Sequence, residues 1–195
     1  MNEELLEEIR RELSLIEERR ENILKGIRDI LIYTRKIISS IHKGDLKEAE
    51  KYIVLADNKD KELRAYANND LYHYLIDAEA EIVEAKILYA IASKKDIPSY
   101  KELDVKIHSY LLGILDAIGE IKRMILDLLR NDKYEDVLRL FELIEDTYSL
   151  IMPLAIYDNI LPGLRRKLDQ DKMIIESVRE IITEESRRRM LFSKL

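Results

Sequence analysis

The sequence contains no cysteine and no tryptophan, and its 195 residues include only five glycines and three prolines. The lack of cysteine excludes a disulfide framework, a thiolate zinc site and a cysteine nucleophile. Because glycine and proline interrupt helices, their scarcity indicates long helices joined by short connections. There is also no run of about 18 apolar residues, so we expect no membrane-spanning helix and no membrane partner.

The composition is that of a globular protein, with 47% hydrophobic and 37% charged residues. A chain of this length can bury a core without disulfides, and we expect a single domain over residues 1–195. The amino-terminal stretch MNEELLEEIRREL is charged and lacks the apolar core of a signal peptide, so we expect a cytoplasmic protein. The net charge of -6 argues against a protein that is basic all over and coats nucleic acid.

Apolar residues recur at intervals of three and four along most of the chain, which predicts an all-α fold of six or seven helices. Gly44 and Asp45 are expected to end the first helix and cap the second, and Pro153 and Pro162 break the chain before the last helix. RRRMLFSKL is expected to form a short basic and apolar tail. The predicted helices cover, approximately, residues 3–42, 45–66, 69–93, 104–130, 134–150 and 164–186.

The first predicted helix is unusually long, about 60 Å at 1.5 Å per residue. A compact domain of this size has a diameter of roughly 33 Å. Because apolar positions continue along the whole helix and into the end of the chain, neighbouring copies are expected to cover them. The sequence therefore favours a homo-oligomer.

Two consecutive predicted helices each carry a stripe of acidic side chains. At about 100° per residue, Glu81 and Glu84 share a face of one helix, and Asp116 and Glu120 share a face of the next. If the stripes face each other, the four carboxylates must take up protons or hold a cation. Oxygen ligands favour Mg²⁺ or Mn²⁺ over zinc, and such an ion orients a phosphodiester and activates a bound water.

The same stripes are also typical of solvent-facing sides of amphipathic helices, with Arg123 and Lys86 pairing locally. The residues alone leave both interpretations open. Gly113 lies on the acidic face, where it would let a backbone or a phosphate come close, whereas for Gly119 we find no stronger reason than close helix packing. A di-iron bundle needs Glu-x-x-His on two helices, and none of the three histidines lies three residues after a glutamate.

The stretch YLLGILDAIGEIKRM, followed by ILDLLRNDKYED, closely resembles the translin family, in which a Tyr-Leu-x-Gly helix with a later Glu-x-x-Arg precedes a short turn. EAEIVEAKILYAI resembles the central helix of that family, and VLRLFELIEDTYSLI and LRRKLDQDKMIIESVREII resemble its last helices. The resemblance is most specific from about residue 79 to residue 136. It implies a seven-helix bundle that assembles into a closed hollow shell, octamer-like or hexameric, with the acids facing the interior.

The family has a nucleic-acid-binding branch, translin itself, and a catalytic branch, translin-associated factor X. The catalytic branch carries Glu-x-x-Glu on the central helix and Asp-x-x-x-Glu on the next, which match Glu81 and Glu84 in EIVE and Asp116 and Glu120 in DAIGE. The resemblance implies a short prokaryotic form of this branch, a Mg²⁺- or Mn²⁺-dependent endoribonuclease that cleaves single-stranded or short structured RNA. The alternatives are a non-catalytic shell protein that binds RNA or single-stranded DNA, and a purely structural helical scaffold.

Three basic residues are the candidates for contacts with nucleic acid. Arg64 and His73 belong to the lead-in to the central helix, where translin itself carries basic residues. His73 and Arg123 lie on the acidic stripes and are expected to contact a phosphate or a base. For His73, an ordinary interface histidine remains the alternative.

Overall fold

The computed structural model describes residues 3–193, and within that range the regular secondary structure is entirely helical, which confirms the all-α class. Six α-helices and two short 3₁₀ helices take the place of the seven predicted helices. Among the residues described, no helix combines the length and apolar character that a membrane span requires. The α-helices are α1 (Glu3–His42), α2 (Leu46–Ala67), α3 (Ile76–Ala92), α4 (Ile107–Arg130), α5 (Tyr134–Ile151) and α6 (Leu164–Phe192).

The chain divides into two compact units, Met1–Tyr110 and Leu111–Leu195. In the first unit, α1 packs against α2 and α3, and α2 also packs against α3. In the second unit, α5 packs against α6. Helix α4 begins in the first unit and continues into the second. A single domain over residues 1–195 stays a prediction.

The contact between α1 and α2 depends on a glycine. Ile23, Ile30 and Ile37 of α1 are buried at intervals of seven residues, and Gly26 is buried on the same helix. A Cβ atom added to Gly26 would lie 2.4 Å from Leu63 Cδ2 of α2, which is too close for any carbon contact. The absence of a side chain at Gly26 therefore makes room for the Leu63 side chain of α2, which an alanine would displace unless the helices moved apart.

The amino-terminal part of α1 has no such cover, since every residue from Glu3 to Glu18 is exposed. Several of these exposed residues are large and apolar. They include Leu5, Leu6, Ile9, Leu13, Leu15 and Ile16.

The predicted start of α2 is confirmed, whereas α3 begins later in the chain than predicted. Gly44 adopts a φ of 77° after α1, and Asp45 Oδ1 accepts a hydrogen bond of 3.0 Å from the backbone N–H of Glu48, as an N-cap does. Asn68 has a φ of 45°, so the chain leaves the helical path there. A turn and the 3₁₀ helix Tyr72–Tyr74 follow, and α3 begins only at Ile76.

Helix α6 is longer than predicted, because the basic stretch before its end is helical to Phe192. Arg188 pairs with Glu184 at 3.8 Å, and Arg189 Nε pairs with Glu185 at 3.0 Å, each one turn earlier. Such pairs four residues apart stabilise a helix. The predicted tail is therefore mostly helix, and its last two residues, Lys194 and Leu195, lie outside the described range.

Candidate active site

Helix α3 carries Glu81 and Glu84 on a surface that is mostly buried. Glu84 is only 8% exposed and Glu81 is half-buried. Their neighbours along the helix, Ile82, Val83 and Ala85, are all buried. A solvent-facing stripe would leave both carboxylates exposed, so the structure does not support that interpretation for α3. Lys86, expected to pair locally, instead pairs with Asp57 of α2 at 2.6 Å.

Helix α4 carries Asp116 and Glu120 one turn apart, and both are half-buried. Asp116 Oδ1 forms an ion pair with Lys167 Nζ of α6. Glu120 Oε2 lies 3.6 Å from Arg123 Nη1 on the same helix. The negative charge of Asp116 is therefore compensated by a lysine of the same compact unit.

Asp171 is a further acidic residue beside Asp116, and the acid stripes did not predict it. It is 5% exposed, and its Oδ2 atom has no hydrogen-bond partner among the described residues. Burial, and after it the negative charge of Asp116, raises the pKa of Asp171 to about 7, while Lys167 opposes the shift. In the sequence, only its spacing could have indicated that Asp171 is buried, because it occupies one of the regularly spaced buried positions of α6. These positions are Leu164, Leu168, Asp171, Ile175, Val178 and Ile182.

For Gly119, one of the two glycines of α4, the structure differs from the expectation. A Cβ atom added to Gly119 would meet no described atom within 4 Å, so close helix packing does not explain this glycine. Gly113 is buried on the same helix. Its role as clearance beside the acids stays a prediction.

The four predicted metal ligands come from both compact units, Glu81 and Glu84 from the first and Asp116 and Glu120 from the second. Within residues 3–193, no three histidine, aspartate or glutamate side chains are grouped as a metal site would require. The donor chemistry itself fits a hard divalent cation, since all four side chains are carboxylates. Asp171, beside Asp116, has a buried carboxylate oxygen without a hydrogen-bond partner among the described residues, which is the same kind of ligand atom. The four-carboxylate cluster stays a prediction.

Glu79, two residues before Glu81, is the most buried acid of α3, with no exposed surface. Its carboxylate accepts hydrogen bonds from Ser109 Oγ at 2.6 Å and from the Tyr72 hydroxyl. Arg64 Nη2 of α2 lies 3.1 Å from Glu79 Oε1. Burial and the hydrogen bond to Glu79 raise the pKa of Tyr72. Glu79 thus ties α2 and the first turn of α4 to the helix that carries Glu81 and Glu84.

The three predicted nucleic-acid contacts occupy different surroundings. Arg123 is exposed, and so is His73, whose ring lies 4.2 Å from the ring of Tyr74. Arg64 is mostly buried, and besides Glu79 its guanidinium pairs with Asp60 at 2.7 Å and Asp104 at 3.0 Å. In this structure Arg64 therefore forms ion pairs with three carboxylates. Contacts of Arg64, His73 and Arg123 with nucleic acid stay predictions.

Comparison with known proteins identifies the family. The crystal structure of AfC3PO superposes with a TM-score of 0.85 at 30% sequence identity, covering 95% of this chain and 98% of that one. The chain belongs to the translin family. The structure of an AfC3PO–duplex RNA complex is similar at a TM-score of 0.84 and 29% identity, over 95% of this chain and 98% of that one. Apo-NeC3PO gives a TM-score of 0.81 and 28% identity, over 94% and 97% of the two chains.

Among curated proteins, the uncharacterized protein MJ0175 of Methanocaldococcus jannaschii (strain ATCC 43067) is 38% identical over 168 residues, which is 84% of this chain and 75% of the relative. No family model matches the chain. The translin resemblance of YLLGILDAIGEIKRM is thus confirmed by the whole fold. In this translin-family chain, the central helix α3 carries EIVE, the next helix α4 carries DAIGE, and the closing helix α6 supplies Lys167 and Asp171.

Proposed function

We propose that this translin-family chain is a Mg²⁺- or Mn²⁺-dependent endoribonuclease that cleaves single-stranded or short structured RNA inside an oligomeric shell. The observation that carries the proposal is that this translin-family chain places EIVE on its central helix α3 and DAIGE on the next helix, α4. Within EIVE, Glu84 is only 8% exposed, and its neighbours Val83 and Ala85 are buried. The four acids of the two motifs offer carboxylate oxygens, the ligands that a hard divalent cation such as Mg²⁺ prefers.

RNA as the substrate is supported by the AfC3PO–duplex RNA complex, whose protein shares 29% identity with nearly the whole of this chain. Because the net charge is -6, RNA binding would depend on local basic groups of the surface. Arg123, exposed and one turn after Glu120, is suited to that role. His73 and Arg64 remain the further candidates.

In this proposal Glu81, Glu84, Asp116 and Glu120 would hold the metal, and one of them would position or deprotonate the attacking water. Mg²⁺ or Mn²⁺ would supply Lewis-acid chemistry there, activating the water and offsetting charge on the phosphate. Arg123 stabilises the negative charge that develops on the phosphorane. All four ligands are acids, and a neutral amide at any of these positions should weaken the site.

Assembly into a homo-oligomeric shell, octamer-like or hexameric, is supported by the exposed apolar residues of α1. Leu13 and Leu15 are 61% and 62% exposed, and Leu6 and Ile9 are also exposed. A single chain leaves these side chains in water, whereas neighbouring copies would cover them.

The experiment compares wild-type protein with Asp116→Asn and Glu81→Gln on labelled RNA in Mg²⁺, Mn²⁺ or EDTA. We expect metal-dependent cleavage by the wild type and none by either variant. Asp169→Asn, which changes an exposed acid of α6, is the matched control and should cleave like the wild type. Cleavage that survives in both site variants would indicate a contaminating nuclease and contradict the site assignment.

A second candidate is a non-catalytic shell protein that binds RNA or single-stranded DNA. It is favoured by the ion pair between Lys167 and Asp116, which satisfies one predicted ligand without any metal. This function predicts nucleic-acid binding in EDTA and no cleavage in either metal. The cleavage assay therefore separates the two, because the acids of the non-catalytic protein serve assembly or residual metal binding. A thermal-shift titration with Mn²⁺ tests the purely structural scaffold instead, which should gain no stability from the ion.

A further inference from the structure

Asp116, a predicted metal ligand, already has a cation beside it in this structure. Lys167 Nζ forms an ion pair with Asp116 Oδ1, and both side chains are only partly exposed, at 20% and 34%. A lysine ammonium is a compact point charge on a flexible stem, so its position can change without any movement of the helix. Any metal ion that binds Asp116 must compete with this ammonium.

Asp171 lies one turn after Lys167 on α6, and residues four apart on a helix have neighbouring side chains. It is 5% exposed, its Oδ2 atom has no hydrogen-bond partner among the described residues, and both Lys167 and Asp116 act on it electrostatically. A buried carboxylate oxygen without a partner is costly, and such groups call for an explanation. Asp171 therefore has an open position for a cationic donor within reach of Lys167.

We propose that Lys167 is the resident cation of the acid site: it neutralises Asp116 while no metal is bound, and Asp171 receives its ammonium group when a metal ion takes Asp116. This inference rests on the proposed metal-dependent function. Lys167 and Asp171 are positioning residues, because they act on the site through Asp116. No covalent bond changes in this exchange, and the positive charge stays between the same two helices.

The exchange makes opposite predictions for the two residues. Without Lys167, the metal ion has no competitor at Asp116, so Lys167→Met should bind Mn²⁺ about tenfold more tightly than the wild type. Without the receiving carboxylate, the displaced ammonium stays close to the metal ion, so Asp171→Asn should bind Mn²⁺ about tenfold more weakly. A simple through-space effect of each charge on the metal ion predicts the same two changes in Mn²⁺ affinity. The single variants alone therefore do not distinguish such charge effects from the exchange.

The double variant Lys167→Met/Asp171→Asn separates the two explanations. If the exchange occurs, Asp171 affects metal binding only by accepting the ammonium group of Lys167. Asp171→Asn should then have little effect on Mn²⁺ affinity in protein that already carries Lys167→Met. Independent charge effects would instead add in the double variant. Mn²⁺ affinity is measured by titration calorimetry on the full chain, and circular dichroism shows that each variant is folded. Lys122→Met is the control, since Lys122 also bridges α4 and α6 but donates to Ser177 Oγ at 2.7 Å.

A second measurement follows the ammonium group itself. In protein with ¹⁵N-labelled lysines, saturating Mg²⁺ should shift the Lys167 Nζ resonance of the wild type, and the shift should differ in Asp171→Asn, where no carboxylate receives the ammonium. The signal is assigned by its loss in Lys167→Met.

Three results would overturn the inference. If wild type binds Mn²⁺ and Asp116→Asn does not, but both single variants bind like the wild type, the proposed function stands and the exchange is wrong. Additive effects in the double variant also contradict the exchange alone. If neither the wild type nor Lys167→Met binds Mn²⁺, the metal site and the exchange both fail. Binding by Lys167→Met alone would support the exchange, because the lysine would then be what keeps the ion out.

Discussion

Ser109 Oγ donates a hydrogen bond of 2.6 Å to Glu79 Oε2, across 30 positions of the chain. Ser109 lies in the first turn of α4, and Glu79 lies near the start of α3. The bond therefore joins the two helices that carry the predicted acid pairs.

Replacing Ser109 by alanine should destabilise the protein, because one oxygen of the fully buried Glu79 carboxylate would lose a donor. We expect the free energy of unfolding to fall by about 1 to 3 kcal/mol. Urea unfolding followed by circular dichroism measures the change. Ser149→Ala, which changes an exposed serine of α5, should change the free energy by less than about 0.5 kcal/mol. Equal effects of the two substitutions would mean that the Glu79 bond contributes no special stability.

Gly26→Ala and Gly119→Ala should shift stability in opposite directions although the chemical change is identical. At Gly26 the added methyl group lies 2.4 Å from Cδ2 of the buried Leu63, so this side chain must be displaced or the helices must move apart, and we expect a loss of about 1 to 3 kcal/mol. At Gly119 it meets no described atom within 4 Å, and alanine is the better helix former. We expect a gain of about 0.5 to 1 kcal/mol there.

Thermal and urea unfolding of the two glycine variants provide the measurement. A loss of stability in Gly119→Ala would show that this position is covered in the assembled protein. A Gly26→Ala variant as stable as the wild type would show that the Leu63 side chain moves aside without cost, and would contradict the predicted loss.

Asp60 should make stability depend on pH. Its carboxyl is 6% exposed, and burial raises its pKa from 3.8 to about 6, an effect that Arg64 opposes and that the negative charges of Glu79 and Asp57 increase. The folded protein therefore holds this proton more tightly than the unfolded chain does. The stability that Asp60 contributes is fully present below about pH 4 and is lost as the pH rises through about 6.

Asp60→Asn removes this titration. The variant should be more stable than the wild type at pH 8, by at most about 3 kcal/mol, and the difference should shrink towards pH 4. Urea unfolding at a series of pH values measures it. Asp96→Asn, in the exposed loop before α4, is the control. A difference that grows towards low pH would have the wrong sign and contradict the raised pKa.

Arg123→Ala should weaken RNA binding and reduce its dependence on salt. If Arg123 contacts a phosphate, the slope of the logarithm of affinity against the logarithm of salt concentration should fall by about one. Arg130→Ala is a closely matched control, because Arg130 is also exposed on α4 and pairs three residues back, with Asp127 at 3.3 Å. Fluorescence anisotropy with labelled RNA in EDTA measures both slopes. Equal slopes for Arg123→Ala and the wild type would remove Arg123 from the RNA interface.

Features that depend on short stretches of sequence were predictable. The all-α class follows from apolar spacing, and the start of α2 follows from Gly44 and Asp45, whose roles are set by φ and by a hydrogen bond three residues away. The acid pairs on α3 and α4 were found from their periodicity and from the translin resemblance. The helical end of α6 was not predicted from apolar spacing, because it depends on arginines that pair with glutamates one turn earlier.

The sequence by itself determined the helices, their approximate ends and the candidate acids, because helix propensity, capping and periodicity act over one or two turns. Only the tertiary structure decided which polar residues are buried and what they contact. Glu79 meets Ser109, and Asp116 meets Lys167, across 30 and 51 positions. Asp171 occupies an apolar position of α6, where sequence spacing carries no sign of a charge partner. Such contacts depend on which helix faces pack together, and that arrangement is a property of the whole chain.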